Sequence, residues 1–199
     1  MISSLEQELQ GLFCLRRGEI GMKKICYSDA TLKNARRSLS FREKVETAKL
    51  LDRLQIEAIE LAVIENVQVD SLLTKSIAAA VTNAVVCLPV ALSEAGVATA
   101  WAAVQSASHA RLQVEIPVSP IQMEYQLHKK APVVKDMAEG LIKKCKEVCT
   151  DVEFVACDAT RADAAFLKDM IEMAVANGAT NVTVTDDEGI FMPNELGEF

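Results

Sequence analysis

Asp29, Lys33 and Asn34 place a carboxylate, an ammonium and a carboxamide close together at the end of the run Ile25-Cys26-Tyr27-Ser28-Asp29-Ala30-Thr31-Leu32-Lys33-Asn34. The run begins strand-like and turns polar, and in α/β chains reacting side chains collect at the carboxyl ends of strands. The plainer reading is that Lys33 and Asn34 solvate a loop. Glu60 and Glu115 fall on predicted strands and face either a site or a helix. Asp186, Asp187 and Glu188 make either a solvated turn or a metal-binding carboxylate set. Cys157 has no neighbouring base and reads as a buried thiol before it reads as a nucleophile. Cys145 and Cys149 share a helical face without a nearby His or third Cys to complete a zinc set. His109 and His128 are isolated in sequence and expected at the surface.

The chain of 199 residues, half of them apolar, is long enough to bury a sizeable core and is most simply one domain. Aromatic residues make up only 5%, so aliphatic packing between helices and sheet is expected. A net charge of -7 and a pI near 5.0 give no electrostatic reason to seek nucleic acid or an anionic membrane as partner. No apolar run reaches the roughly 20 residues needed to span a bilayer. Six cysteines without a CxxC pair, and an amino terminus without a basic region leading into an apolar core, point to reduced thiols and a cytoplasmic protein.

The elements that must position these residues alternate at a period of roughly 30 residues, which implies parallel strands joined by right-handed crossovers. Residues 1–22 read as a helical lead-in and 23–199 as the main domain. After the first strand, Ser40-Phe41-Arg42-Glu43 is a capping box, and Val45, Ala48, Leu51 and Leu54 follow at helical spacing. Strands are expected at 58–63, 84–88, 112–117, 152–156 and 181–185. Helices are expected at about 70–80 and 93–106, then from Pro132 and from a second start box at Thr160-Arg161-Ala162-Asp163, with a stop at Gly178. The sixth helix would begin at Pro193. Six strands fit either most of a (β/α)8 barrel or an open doubly wound sheet.

From about Lys24 onward the chain resembles the isopropylmalate synthase, homocitrate synthase and citramalate synthase family, acyl-CoA condensing enzymes on a TIM barrel. Asp29-Ala30-Thr31-Leu32-Lys33-Asn34-Ala35-Arg36-Arg37 is similar to that family's Asp-x-Thr-Leu-Arg-Asp-Gly-Glu-Gln. Ser119-Pro120-Ile121-Gln122-Met123-Glu124-Tyr125-Gln126-Leu127 resembles its Ser-Asp-Ile-His-Met-Glu-Tyr-Lys-Leu. Val152 to Arg161 resembles its Val-Glu-Phe-Ser-x-Glu-Asp-Ala-Thr-Arg, and Gly178-Ala179-Thr180 with Asp186 and Gly189 its Gly-Ala-Thr and Pro-Asp-Thr-x-Gly.

The resemblance implies a TIM-barrel-like α/β fold with about six of eight β/α units, a divalent metal, and a 2-oxo acid and an acyl-CoA as substrates. It also locates the departures. Lys33 stands at the family's arginine and loses the bidentate fork, and Cys157 stands at its glutamate; these are the altered catalytic positions. Gln113, at the histidine of the fourth strand, and Asp187, at the threonine after the sixth, are the substrate-binding candidates. Asn34, at the acidic metal ligand, is a weak metal candidate. The family's His-x-His would fall on a seventh strand. Two readings stay open: a condensing-family enzyme whose remaining strands come from another chain or segment, and a non-catalytic relative that binds a metabolite or a protein. Either way the exposed strand edges of an unclosed sheet favour a homo-oligomer or a partner chain.

Overall fold

The computed structural model describes residues 26–34 and 39–199; the lead-in expected at 1–22 lies outside them. Six parallel strands, β1 (Ser28–Asp29), β2 (Ala58–Glu60), β3 (Val85–Pro89), β4 (Ala110–Pro117), β5 (Val152–Cys157) and β6 (Asn181–Val184), pair in simple sequence order. Between and after them run α1 (Phe41–Arg53), α2 (Val67–Ala80), α3 (Glu94–Val104), α4 (Ala131–Val148), α5 (Ala164–Ala176) and α6 (Pro193–Glu198). A doubly wound sheet must reverse its strand order to place helices on both faces. Here the order never reverses, so right-handed crossovers put the helices on one face. The architecture is a half-barrel.

Period-two alternation decides which side chains meet the helices. On β4, Leu112, Val114 and Ile116 are fully buried, and Phe154 and Val86 are their counterparts on neighbouring strands. They pack with Ile77, Val104, Ala138, Ile142 and Met170 from the helices. The alternate β4 residues, Arg111, Gln113 and Glu115, face the other way, onto the inner surface of the half-barrel.

Helix starts follow local chemistry. The Ser40 box is formed: the Glu43 amide donates to Ser40 Oγ at 3.3 Å, and the Ser40 amide donates to Glu43 Oε2 at 2.8 Å. Helix α2 starts at Val67 rather than Asp70, because Asn66 accepts from the amides of Gln68 and Val69, both at 3.1 Å. The start box expected at Thr160 is not one. Asp163 caps α5 through the Phe166 amide at 2.9 Å, while residues 159–161 form a single 3-10 turn. At the other end of α5, Gly178 takes φ +102, a left-handed conformation that lets the chain leave the helix and enter β6.

Asp52 ties α1 to the entrance of β3. Its carboxylate accepts the backbone N–H groups of Thr82 at 3.2 Å, Asn83 at 2.9 Å and Ala84 at 2.8 Å. Burial works to raise its pKa, but these amides and the Thr82 hydroxyl outweigh it and bring the carboxyl down to about 2. Asp52→Ala, which strands three amides, is expected to lower the unfolding free energy at pH 7 by about 2 kcal/mol, measured by urea titration. Because the folded pKa is depressed below 3.8, this contribution is complete above that value and is lost as the pH falls through about 2. The gap between wild type and variant should therefore close in acid.

Candidate functional site

The polar face of the sheet gathers at the carboxyl ends of the strands. Lys33, in the turn after β1, reaches across the mouth. Its Nζ donates to Glu60 Oε2, at the end of β2, at 3.1 Å, and to Glu115 Oε1, near the end of β4, at 2.5 Å. Glu60 is steadied on its other oxygen by Ser28 Oγ, which donates to Oε1 at 2.7 Å. The side chains of Lys33, Glu60 and Glu115 are 23%, 21% and 28% exposed, open enough to meet a ligand and closed enough to feel one another. Burial works to lower the Lys33 pKa, but Glu115 and then Glu60 outweigh it and hold the ammonium above its usual value. Lys33 is therefore a fixed cation rather than a nucleophilic amine.

Cys157 closes β5 at the same mouth. Burial first, then the carboxylates of Glu115 and Asp187, push its thiol up to about 12, with Lys33 acting weakly the other way. A thiol so placed stays neutral at physiological pH. Asp187 accepts from Gln122 Nε2 at 3.1 Å. Gln113 lies deeper on the inner face and is 3% exposed. Its Nε2 donates to Glu153 Oε2 at 3.0 Å, while among the described residues its Oε1 has no hydrogen-bond donor. Below it, Arg111 pairs with Asp151 at 2.9 Å and with Glu153 at 3.6 Å. Asn34 stands apart: it is exposed, and its amide closes the turn on the Ala30 carbonyl at 2.9 Å.

The mouth is braced by one carboxylate. Asp158, wholly buried and left-handed at φ 56, accepts from Arg161 Nε at 2.8 Å and Nη2 at 2.6 Å and from the Ser119 hydroxyl. Its backbone amide donates to Thr185 Oγ1 at 3.0 Å. The loops after β4, β5 and β6 thus converge on Asp158. The next turn is spoken for in the same way. Asp186 accepts from Thr160 Oγ1 at 2.7 Å, which together with the Phe191 amide depresses its pKa, and Glu188 accepts from Arg161 at 3.2 Å. Asp29 Oδ1 is engaged by the Thr31 amide at 2.9 Å.

The structure therefore brings Lys33, Cys157 and Asp187 to one mouth and keeps Gln113 beneath it, while Asn34 is exposed in the turn after β1. Glu60 and Glu115, undecided from sequence, are the residues that define the centre. The alternation of Arg111, Gln113 and Glu115 with Leu112, Val114 and Ile116 is the signal that points them inward. Asp158 and Ser119 were carried in the motifs without a role. Separately, a cavity of about 260 Å³ opens on the helix side of β2, lined by Leu32, Lys44, Leu61, Thr74 and Ile77 and facing away from the Lys33 centre.

The HMGL-like family model matches residues 28–199, nearly all of the described chain. This chain belongs to the HMGL-like family. The HMGL-like chain is 34% identical over 183 residues to a probable 2-isopropylmalate synthase of Glycine max, covering 85% of this chain and 32% of that protein. It is 32% identical over 182 residues to the 2-isopropylmalate synthase of Carboxydothermus hydrogenoformans, covering 89% and 36%. The 2-isopropylmalate synthase of Pyrococcus abyssi is 33% identical over 181 residues, covering 89% and 37%. The chain thus spans about a third of the length of these relatives. The crystal structure of Bacillus subtilis HMG-CoA lyase superposes with a TM-score of 0.69 at 11% identity, over 86% of this chain and 60% of that one, which places the fold among barrels of this kind.

The residues present do not fit the divalent ion that the resemblance implies. Glu60 and Glu115 are both engaged by the Lys33 ammonium, and Asp29 and Asp186 accept backbone amides. Among the described residues no three His, Cys, Asp or Glu side chains converge on one point.

Two outcomes test this geometry. Cys157 should resist iodoacetamide at pH 8 in the folded protein while exposed Cys26 is alkylated, as read by peptide mass spectrometry; prompt alkylation of Cys157 would contradict its environment. Asp158→Ala, which releases Arg161 and Ser119 together, should lower Tm by roughly 5–10 °C in a thermal scan.

Proposed function

We propose that this chain is a non-catalytic relative of the acyl-CoA condensing enzymes, one that keeps their scaffold to bind a metabolite or partner and does not itself join an acyl-CoA to a 2-oxo acid. The observation that carries this reading is the Lys33 ammonium held between Glu60 and Glu115. Condensation needs electrophilic help at a keto oxygen and a base for the thioester carbon. Lys33 stands at the family's arginine, but two of its three N–H donors are spent on carboxylates. Cys157 is a neutral thiol and a poor base.

Charge supports the same reading. Among the described residues, the ion pairs of Glu60, Glu115, Asp151 and Glu153 on the inner surface are with Lys33 and Arg111. This excess of negative charge repels a 2-oxo acid and the phosphates of an acyl-CoA alike. The second reading, a condensing enzyme with those substrates, rests on similarity to the 2-isopropylmalate synthases. In either reading the protein works in the cytoplasm. Among the described residues β1 and β6 each pair on one side only, which favours an oligomer or a partner chain at those edges.

The test is direct. Purified protein, acetyl-CoA and 2-oxo acids beginning with pyruvate are incubated with and without magnesium or manganese, and the loss of thioester absorbance is followed. No loss above background is expected. Metal-dependent turnover that scales with protein concentration would replace this reading with the enzymatic one.

A further inference from the structure

The Lys33 centre has the shape of a cation site whose cation is covalently attached. Two carboxylates from different strands, Glu60 on β2 and Glu115 on β4, meet at one positively charged atom, with Nζ to oxygen distances of 3.1 and 2.5 Å. Ser28 Oγ orients the first carboxylate from behind, the arrangement that fixes a ligand oxygen in a metal site. The carboxylates are brought there by the sheet and not by Lys33, which arrives from the loop after β1. Removing the ammonium would leave two acidic groups facing each other, a state that demands another positive charge.

We infer that Lys33 is a built-in counter-ion, occupying the position between Glu60 and Glu115 that a divalent cation would otherwise take, so that this mouth is closed to metal by its own side chain. The geometry favours a hard divalent ion as the excluded species, because both facing groups are carboxylate oxygens. A tethered ammonium keeps a fixed effective concentration at the carboxylates, against which a free ion must compete. It cannot be removed by chelation or replaced when the metal supply changes. The inference goes beyond the proposed function. Turnover without metal would overturn that reading and leave this one intact.

Manganese is the probe. In wild-type protein carrying 13Cε-labelled lysine, the Lys33 resonance should stay sharp up to about 1 mM Mn2+, a range in which weak carboxylate sites fill. Its selective broadening below that concentration overturns the inference without recourse to any variant. In Lys33→Met, electron paramagnetic resonance should show free Mn2+ being taken up with a Kd of about 0.1–1 mM, and added Mn2+ should restore the Tm that the substitution lowers. The double variant Lys33→Met, Glu115→Gln should lose that uptake. A folded Lys33→Met protein with no gain in Mn2+ affinity would show that the ammonium was not the barrier, and would equally overturn the proposal.

Discussion

A parallel sheet whose strands follow one another in order can bury only one of its faces against its own helices. That constraint governs the molecule. Leu112, Val114, Ile116 and Phe154 fill the covered face and exclude water completely. The opposite face cannot rely on the same apolar packing, and the chain meets it with polar groups that satisfy one another. Arg111 answers Asp151 and Glu153, Gln113 and Thr183 also bind Glu153, and Lys33 answers Glu60 and Glu115. Two of the functional candidates belong to this second network, Gln113 from β4 and Lys33 from the loop after β1.

The substitutions relative to the resemblance make sense as a set in that light. Where the motifs the chain resembles have an arginine and a glutamate, it has Lys33 and Cys157, and both bear on how charge is presented at the mouth. The lysine, more flexible and more compact than arginine, reaches two carboxylates that a planar guanidinium would present differently. The neutral Cys157 spares the centre a further negative charge beside Glu115 and Asp187. Around them the bracing is complete: Asp158 gathers Arg161, Ser119 and Thr185.

Much of this was legible in the residues. The Ser40 box, the proline-led α4 and the apolar cores of β3 and β5 follow local rules that tertiary context did not override. The β/α alternation alone fits both a half-barrel and a doubly wound sheet, which differ only in strand order; the motif resemblance implied the barrel-like fold, and the sequential strand order agrees with it. Thr160 was misread because a hydroxyl three residues before a carboxylate suits a capping box, whereas here the hydroxyl bonds Asp186 and Asp163 caps the helix itself. The inward aim of Glu115 is carried by the alternation along β4, whereas β2, only three residues long, offers no such pattern for Glu60.

The strictly sequential pairing also shapes how the chain folds. Each strand finds its partner in the preceding β/α unit, and the longest reach runs only from Leu112 to Val152, across α4. Loop-closure costs at each step are modest and similar. Assembly is therefore suited to advance unit by unit as the chain leaves the ribosome, each completed strand serving as the template for the next. In such a process the Lys33 centre has an order of events of its own. Lys33 and Glu60 are available early, and Glu115 is added only when β4 docks, so the lysine waits for its second partner.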